Sequence, residues 1–291
     1  MMLRWAVALL LLTTVSAGAA DPPPRRIVSF NLCADQLVLA LADPEQIAGL
    51  SRFASDPGLS VMAERAAAFP KLDQRSEATV ALQPDLVLVG PTDRSSIRRV
   101  LAGLGLHVEE VGLVKDVAQA RAQVRALAIR LGHPDRGEAL VAAIDTAQAR
   151  LRAAAGRGTR TALVVERRGY TAGPESLIVN LLREAGLTLP RGAPGGLGGF
   201  VPLEQLLMLR PDVLVMHDSG RKPSDQGAAY LSHPALLALY PWAQRLVVPR
   251  RLALCGGPAI VAALDFLTGM VQPPPLRTFT RWRARPEPMP R

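Results

Sequence analysis

Few residues in this chain are equipped for chemistry. It has two cysteines, Cys33 and Cys255, and four histidines, His107, His133, His217 and His233. A bare zinc or manganese site needs several His and carboxylate ligands converging on one ion. Here His133 precedes Pro134 at a helix end and His233-Pro234 reads as a helix entry, so only His217 ends a strand. A hydrolase would carry a Gly-x-Ser-x-Gly turn or an equivalent Ser/His/Asp set, and none is visible. Residues 195–199 are glycine-rich, but they follow Pro194 and no P-loop lysine comes after them. That segment reads as a flexible loop. The inventory supports recognition of a ligand, with no catalytic residue, no resident cofactor and no bound metal of the protein's own.

The two ends and the charge narrow the setting. A basic start at Met1 to Arg4, an apolar stretch over 6–12 and the small residues Ala17-Gly18-Ala19 make residues 1–20 a secretory signal peptide. The apolar stretch is too short for a permanent anchor. No cysteine follows it to take a lipid, so the mature chain is expected to be soluble; a monomer is the expected state. The formal net charge is +9. Part of it lies in a Pro/Arg-rich tail over 271–291, which reads as solvated. A nucleic-acid partner would need a basic stripe and a recognition motif, and neither appears. Export also implies an oxidising compartment, where an even cysteine count favours a disulfide.

The elements that must position any site repeat themselves. Residues 77–89 run from Glu77 through a short apolar helix to Leu82-Gln83-Pro84-Asp85 and then a wholly apolar strand. Residues 204–216 do the same from Glu204 through Leu209-Arg210-Pro211-Asp212. Proline cannot continue a helix, and an unbroken apolar run is the mark of a parallel strand covered on both faces. Each copy sits among alternating strands and helices: strands over 26–31, 46–50, 107–111, 161–166 and 245–248, helices over 34–41, 95–104, 176–185 and 258–267. That alternation predicts α/β lobes with mostly parallel, Rossmann-like sheets. Between the copies, apolar residues at Val117, Ala120, Val124, Leu127 and Leu131 have helical spacing, with Asp116 as N-cap and Gly132 as stop. The expected organisation is an N-terminal lobe (25–115), one joining helix (116–132) and a C-terminal lobe (133–270), with a second amphipathic helix over about 136–154.

These features resemble the helical-backbone substrate-binding proteins of ABC importers for cobalamin, ferric siderophores and haem. The residues that carry the likeness are the start Arg26-Ile-Val-Ser-Phe-Asn31, the doubled Leu-x-Pro-Asp and the single inter-lobe helix. The resemblance implies a periplasmic, non-enzymatic protein that delivers a metal-chelate small molecule to a permease dimer. It also implies a ligand groove between the lobes, at the carboxyl ends of the strands. The groove loops would be 30–33, 52–56, 90–94, 168–173, 195–200, 217–221 and 254–257. Phe30, Phe53, Tyr170 and Phe200 could offer flat apolar faces, and Arg221 a carboxylate partner; Cys33 and His217 complete the ligand-contact set. Arg52, Arg94, Arg168 and Arg221 favour an anionic chelate, with a ferric siderophore-like complex ahead of cobalamin and haem as the alternative. Trp242 is expected near the groove. Glu77 and Glu204 match the positions where family members present one carboxylate per lobe to the permease. The local alternative is a helix-dipole contact in a first turn. Cys33 and Cys255 each lie at a strand-to-helix junction facing the groove. A disulfide tying the lobes, a contact to the ligand and two buried thiols all stand as readings. From another class, an exported enzyme acting on a small ligand in the groove is the rival.

Overall fold

The computed structural model describes residues 22–72, 76–91, 95–156, 160–217 and 229–271. The signal segment 1–20, the tail beyond 271, Arg94, Arg221 and the side chain of Glu77 lie outside the described residues.

The first lobe contains β1 (Ile27–Ser29), β2 (Ile47–Ser51), β3 (Lys71–Leu72), β4 (Leu86–Val89) and β5 (Val108–Glu110). They form one sheet in the order β3-β2-β1-β4-β5, every pair parallel. Helices α1 (Leu32–Leu41), α2 (Ala63–Ala66), α3 (Ser76–Ala81) and α4 (Ser95–Gly103) connect them. The second lobe has β6 (Arg160–Val164), β8 (Leu187–Thr188), β10 (Val213–His217) and β11 (Leu246–Val248), in the parallel order β11-β10-β6-β8. Its helices are α7 (Leu177–Glu184), α8 (Leu203–Leu209), α9 (Pro234–Leu239) and α10 (Pro258–Val271). All four residues of β4 are buried, as are Val213 to Met216 of β10, so the apolar runs of the repeat are covered on both faces.

The repeat has matching stereochemistry in both lobes. Gln83 and Arg210 occupy the same offset, and both have left-handed backbones, with φ of 47° and 43°. Each follows a short helix and precedes Pro-Asp. Asp85 then accepts hydrogen bonds from the amides of Arg25 and Arg26 at 2.7 and 2.8 Å, ahead of β1. Asp212 accepts from the Thr161 amide and hydroxyl, both at 2.8 Å, at the start of β6. The carboxylate before one strand thus satisfies otherwise unpaired donors at the start of its neighbour.

Helix α5 (Val117–Leu131) begins where expected, with Asp116 capping the Gln119 amide, and ends at Gly132 in the left-handed region. Lys115, just ahead of it, pairs with Glu175 of the second lobe, and the Leu131 carbonyl at its end accepts from Gln46 of the first. Helix α6 (Pro134–Ala154) extends the expected single join, because it makes the same span in the opposite sense. Arg136 in its first turn bonds the Leu41 carbonyl and Asp43, and Arg152 in its last turn bonds Glu184. A Cβ on Gly137 would come within 2.5 Å of the Ala128 Cβ, so this glycine permits the close approach of the two helices. One buried apolar cluster runs from Leu37 and Leu41 of α1 through Val124, Ile144 and Ile178 to Leu264 of α10. Separate clusters cover the outer faces of the two sheets. The lobes therefore share a core, which opposes large relative motion.

Candidate functional site

In an open parallel sheet, the connections after strands that leave in opposite directions part company and open a crevice at the carboxyl edge. The strand orders place this switch between β1 and β4 in the first lobe and between β6 and β10 in the second. Phe30 and Gly90 follow β1 and β4. Val165 follows β6, with Glu166 next, and His217 is the last residue of β10.

The first-lobe wall carries Arg52 and Phe53, directly after β2. The Arg52 guanidinium lies 4.7 Å from the centre of the Phe53 ring, with Arg52 exposed and Phe53 half-buried. Phe30 is half-buried and packs against the outer core of its lobe, so part of its surface serves packing.

The second-lobe wall corrects the expectation of flexible glycine loops. Residues 170–172 and 198–200 are β7 (Tyr170–Ala172) and β9 (Gly198–Phe200), an antiparallel pair in which Tyr170 faces Phe200. Crowding requires two glycines here, Gly198 in β9 and Gly173 just after β7. A Cβ on Gly198, at φ 131°, would fall 2.1 Å from the Thr171 carbonyl, and one on Gly173 within 2.5 Å of the Gly196 carbonyl. Tyr170 and Phe200 meet edge to face at 5.6 Å, and the tyrosine hydroxyl donates to the Leu197 carbonyl at 3.2 Å. Phe200 is 70% exposed, an aromatic face left open to solvent.

His217 is half-buried in the middle of this wall. Its Nδ1 lies 3.3 Å from the Val248 carbonyl, and its Nε2 lies 3.7 Å from Glu166. Burial pushes its pKa down; the Glu166 charge and the Val248 bond pull the other way, and Arg250 adds to the lowering. The lowered pKa favours the neutral imidazole, and a bond to the Val248 carbonyl takes the tautomer with the proton on Nδ1. Arg168 and the adjacent Arg250 and Arg251 are exposed at the carboxyl ends of β6 and β11, and no ion-pair partner is found for them among the described residues. With Arg52, they place exposed guanidinium groups after strands in both lobes, and guanidinium is the side chain suited to carboxylate or phosphate. Glu166, Arg250 and Arg251 were missed in the sequence reading, although the signal was the one already in use: residues following a strand.

Cys33 and Cys255 form a disulfide, with Cα atoms 5.0 Å apart. The bond excludes the two free-thiol readings, the ligand thiolate and the unpaired buried pair, because both sulfurs are consumed. Cys33 stands in the first turn of α1, where Asn31 accepts from its amide at 2.9 Å. Cys255 stands in the segment before α10. Trp242 is not at the groove: it precedes β11 and therefore lies at the opposite edge of the sheet, stacked 4.3 Å from Arg245.

Glu204 is the second residue of α8 and Glu77 the second residue of α3. Each helix leads into a strand and runs back against it, which brings its first turn to the groove side. Among the described residues no group of three or more His, Cys, Asp or Glu is placed to hold a metal ion. None of the described helices is long and apolar enough to cross a membrane.

This architecture is shared with known proteins. The periplasmic haem-binding protein from Pseudomonas aeruginosa is 23% identical, with a TM-score of 0.69 covering 86% of this chain and 93% of that one. A protein of the ABC-type Fe3+-hydroxamate transport system from Saccharomonospora viridis is 24% identical, with a TM-score of 0.68 covering 86% and 94%. The periplasmic vitamin B12-binding protein of Vibrio cholerae is 15% identical, with a TM-score of 0.64 covering 86% and 97%. No curated protein sequence matches the chain. The family model described as periplasmic binding protein matches residues 27–229, and with two parallel-sheet lobes and a switch point in each, the chain belongs to that family.

Proposed function

We propose that this protein is the exported binding component of an ABC importer and captures an anionic metal chelate, a ferric siderophore-like complex or cobalamin, between its lobes. What supports the reading is that Arg52 and Phe53 follow β2 of the first lobe, while the exposed Arg168, Phe200 and Arg250 follow strands β6, β9 and β11 of the second or end them. Cationic and flat apolar groups on both sides suit a bulky ligand with carboxylate or phosphate groups at its rim. Haem is the second reading, favoured by the exposed Phe200 ring braced by Tyr170. The protein acts as a carrier and not as an enzyme; residues 1–20 direct it to the periplasm, where it works as a monomer. Glu77 and Glu204 serve as one acidic contact per lobe for a two-fold permease, a role in which charge supplies orientation and encounter rate.

Thermal melts of the purified protein with ferric citrate, an anionic carboxylate chelate, and with cyanocobalamin and haemin test the proposal. A ligand at a hundred times its Kd should stabilise the fold by about 2.7 kcal/mol, and the ligand should be recovered unchanged. A protein that ignores all three, or that converts one of them to product, would defeat the reading.

A further inference from the structure

Arg52 and Phe53 belong to a loop of ten residues, 52–61, and two adjacent side chains of α1 grip its two ends. Asp35 and Gln36 are both 0% exposed, an unusual pair of polar residues to bury in a helix. Asp35 accepts from the Ser51 amide at 3.1 Å and from the Ser51 hydroxyl at 2.5 Å. The same hydroxyl oxygen accepts from the Phe53 amide at 3.2 Å. At the far end, Gln36 Oε1 accepts from the Val61 amide at 3.2 Å. Between these anchors the loop folds on itself, with Asp56 accepting from Gly58 at 2.8 Å through its side chain and from Ser60 at 2.8 Å through its carbonyl. Ala54 fixes the middle in the shared core at 0% exposure.

The cost of this arrangement shows that it is not a generic helix face. Gln36 Nε2 is buried without a hydrogen-bond partner among the described residues, and an orphan buried donor is destabilising. An apolar residue at either position would avoid the loss if helix packing were all that mattered. What the polar atoms supply is a defined path for the loop that leads away from β2.

We propose that Asp35 and Gln36 are positioning residues that, through Ser51 and Val61, hold loop 52–61 and its Arg52–Phe53 pair in the form that meets the ligand. The inference rests on the proposed function for its consequence in binding, but the holding of the loop is a property of the free protein. Asp35 itself touches no ligand in this scheme.

Amide hydrogen exchange on the ligand-free protein tests the holding, and titration with ferric citrate, cyanocobalamin and haemin tests the consequence. In Asp35→Ala the Phe53 amide should exchange about tenfold faster, and in Gln36→Ala the Val61 amide likewise, while the amides of α5 keep their protection. Asp35→Asn keeps an acceptor for the Ser51 amide and a partner for its hydroxyl, and should restore protection at Phe53. Asp35→Ala and Phe53→Ala should each weaken the best-bound probe by about tenfold, and the double variant should bind no worse than Phe53→Ala alone. Unchanged exchange at Phe53 and Val61, or losses that simply add in the double variant, would overturn the proposal. Should Asp35→Ala fail to fold, Ser51→Ala removes the same link by one atom and carries the same expected results. A Phe53→Ala protein that binds as the parent does would sink the groove reading instead, and the exchange result would then decide the holding by itself.

Discussion

Cys33 and Cys255 are covalently joined although 222 residues separate them in sequence. One stands at the start of α1 in the first lobe and the other before α10 in the second, so the bond straps the lobes together on the groove side. With α5, α6 and the shared core, it makes the two-lobed body a stiff clamp.

Replacing both cysteines by alanine should cost about 2–5 kcal/mol of stability, chiefly by freeing the unfolded chain. Urea denaturation measures it, and the unfolded, unreduced parent should show no reactive thiol. Stopped-flow release of bound ligand should be faster in the variant.

Asp35 gives a pH signature. Burial pushes its carboxyl up to about 6 from an ordinary 3.8, against hydrogen bonds from Ser29 and Ser51 and the charge of Lys71. The folded state then holds the proton to higher pH than the unfolded state. Stability from this group is therefore greatest below pH 3.8 and is lost as pH rises through about 6. The loss is worth about 3 kcal/mol. Urea midpoints from pH 4 to 7 should show the parent falling relative to Asp35→Asn by about that amount.

His217 should act in the opposite sense. Its pKa is lowered, mainly by burial, so the unfolded state takes up the proton first as pH falls. Stability is lost on acidification through the ordinary histidine range. His217→Gln should remove that acid-side loss in the same titration while leaving the Asp35 slope in place.

The repeated aspartates should contribute to stability although both are exposed. Asp212→Ala removes the acceptor of the Thr161 donors at the start of β6, and Asp85→Ala does the same to Arg25 and Arg26 ahead of β1. Both carboxylates are exposed, so water replaces part of what is lost, and each change should lower stability by about 0.5–1.5 kcal/mol, read from denaturation at neutral pH. The Thr161 amide bond is also the first cause of the lowered Asp212 pKa, so that contribution is present above the ordinary carboxylate range and fades as pH falls.

Charge reversal at the two glutamates separates docking from capture. Glu77→Lys with Glu204→Lys should leave the affinity for the best-bound probe within about twofold, because rim charges act mainly on encounter. Permease ATPase stimulation in proteoliposomes should fall by about tenfold or more. Lost affinity with intact stimulation would place these residues in ligand binding instead.

The repeat was readable because its energetics are local or nearly so. Pro84 and Pro211 end helices by missing donors and steric clash, and the apolar strands beyond them need cover on both faces. Asp116 and Gly132 bounded α5 for similarly local reasons, capping at one end and a left-handed backbone at the other. Residues 195–197 are a loop as expected, but Gly198 and Gly199 belong to β9, because Gly signals both freedom of the backbone and close backbone approach. Only the partner strand, β7, distinguishes the two.

From its own residues the chain determined its alternation of strand and helix, its doubled lobe and the strand edges where a ligand would sit. These follow from side-chain period and from residues whose backbone preferences act within a few positions. Tertiary structure alone decided that Cys33 finds Cys255, that Trp242 lies at the far edge, that α6 shares the span with α5, and that Asp35 is buried behind the Arg52–Phe53 loop. Each of those depends on which distant segments pack together, a sum of many small contacts that no short stretch of sequence contains.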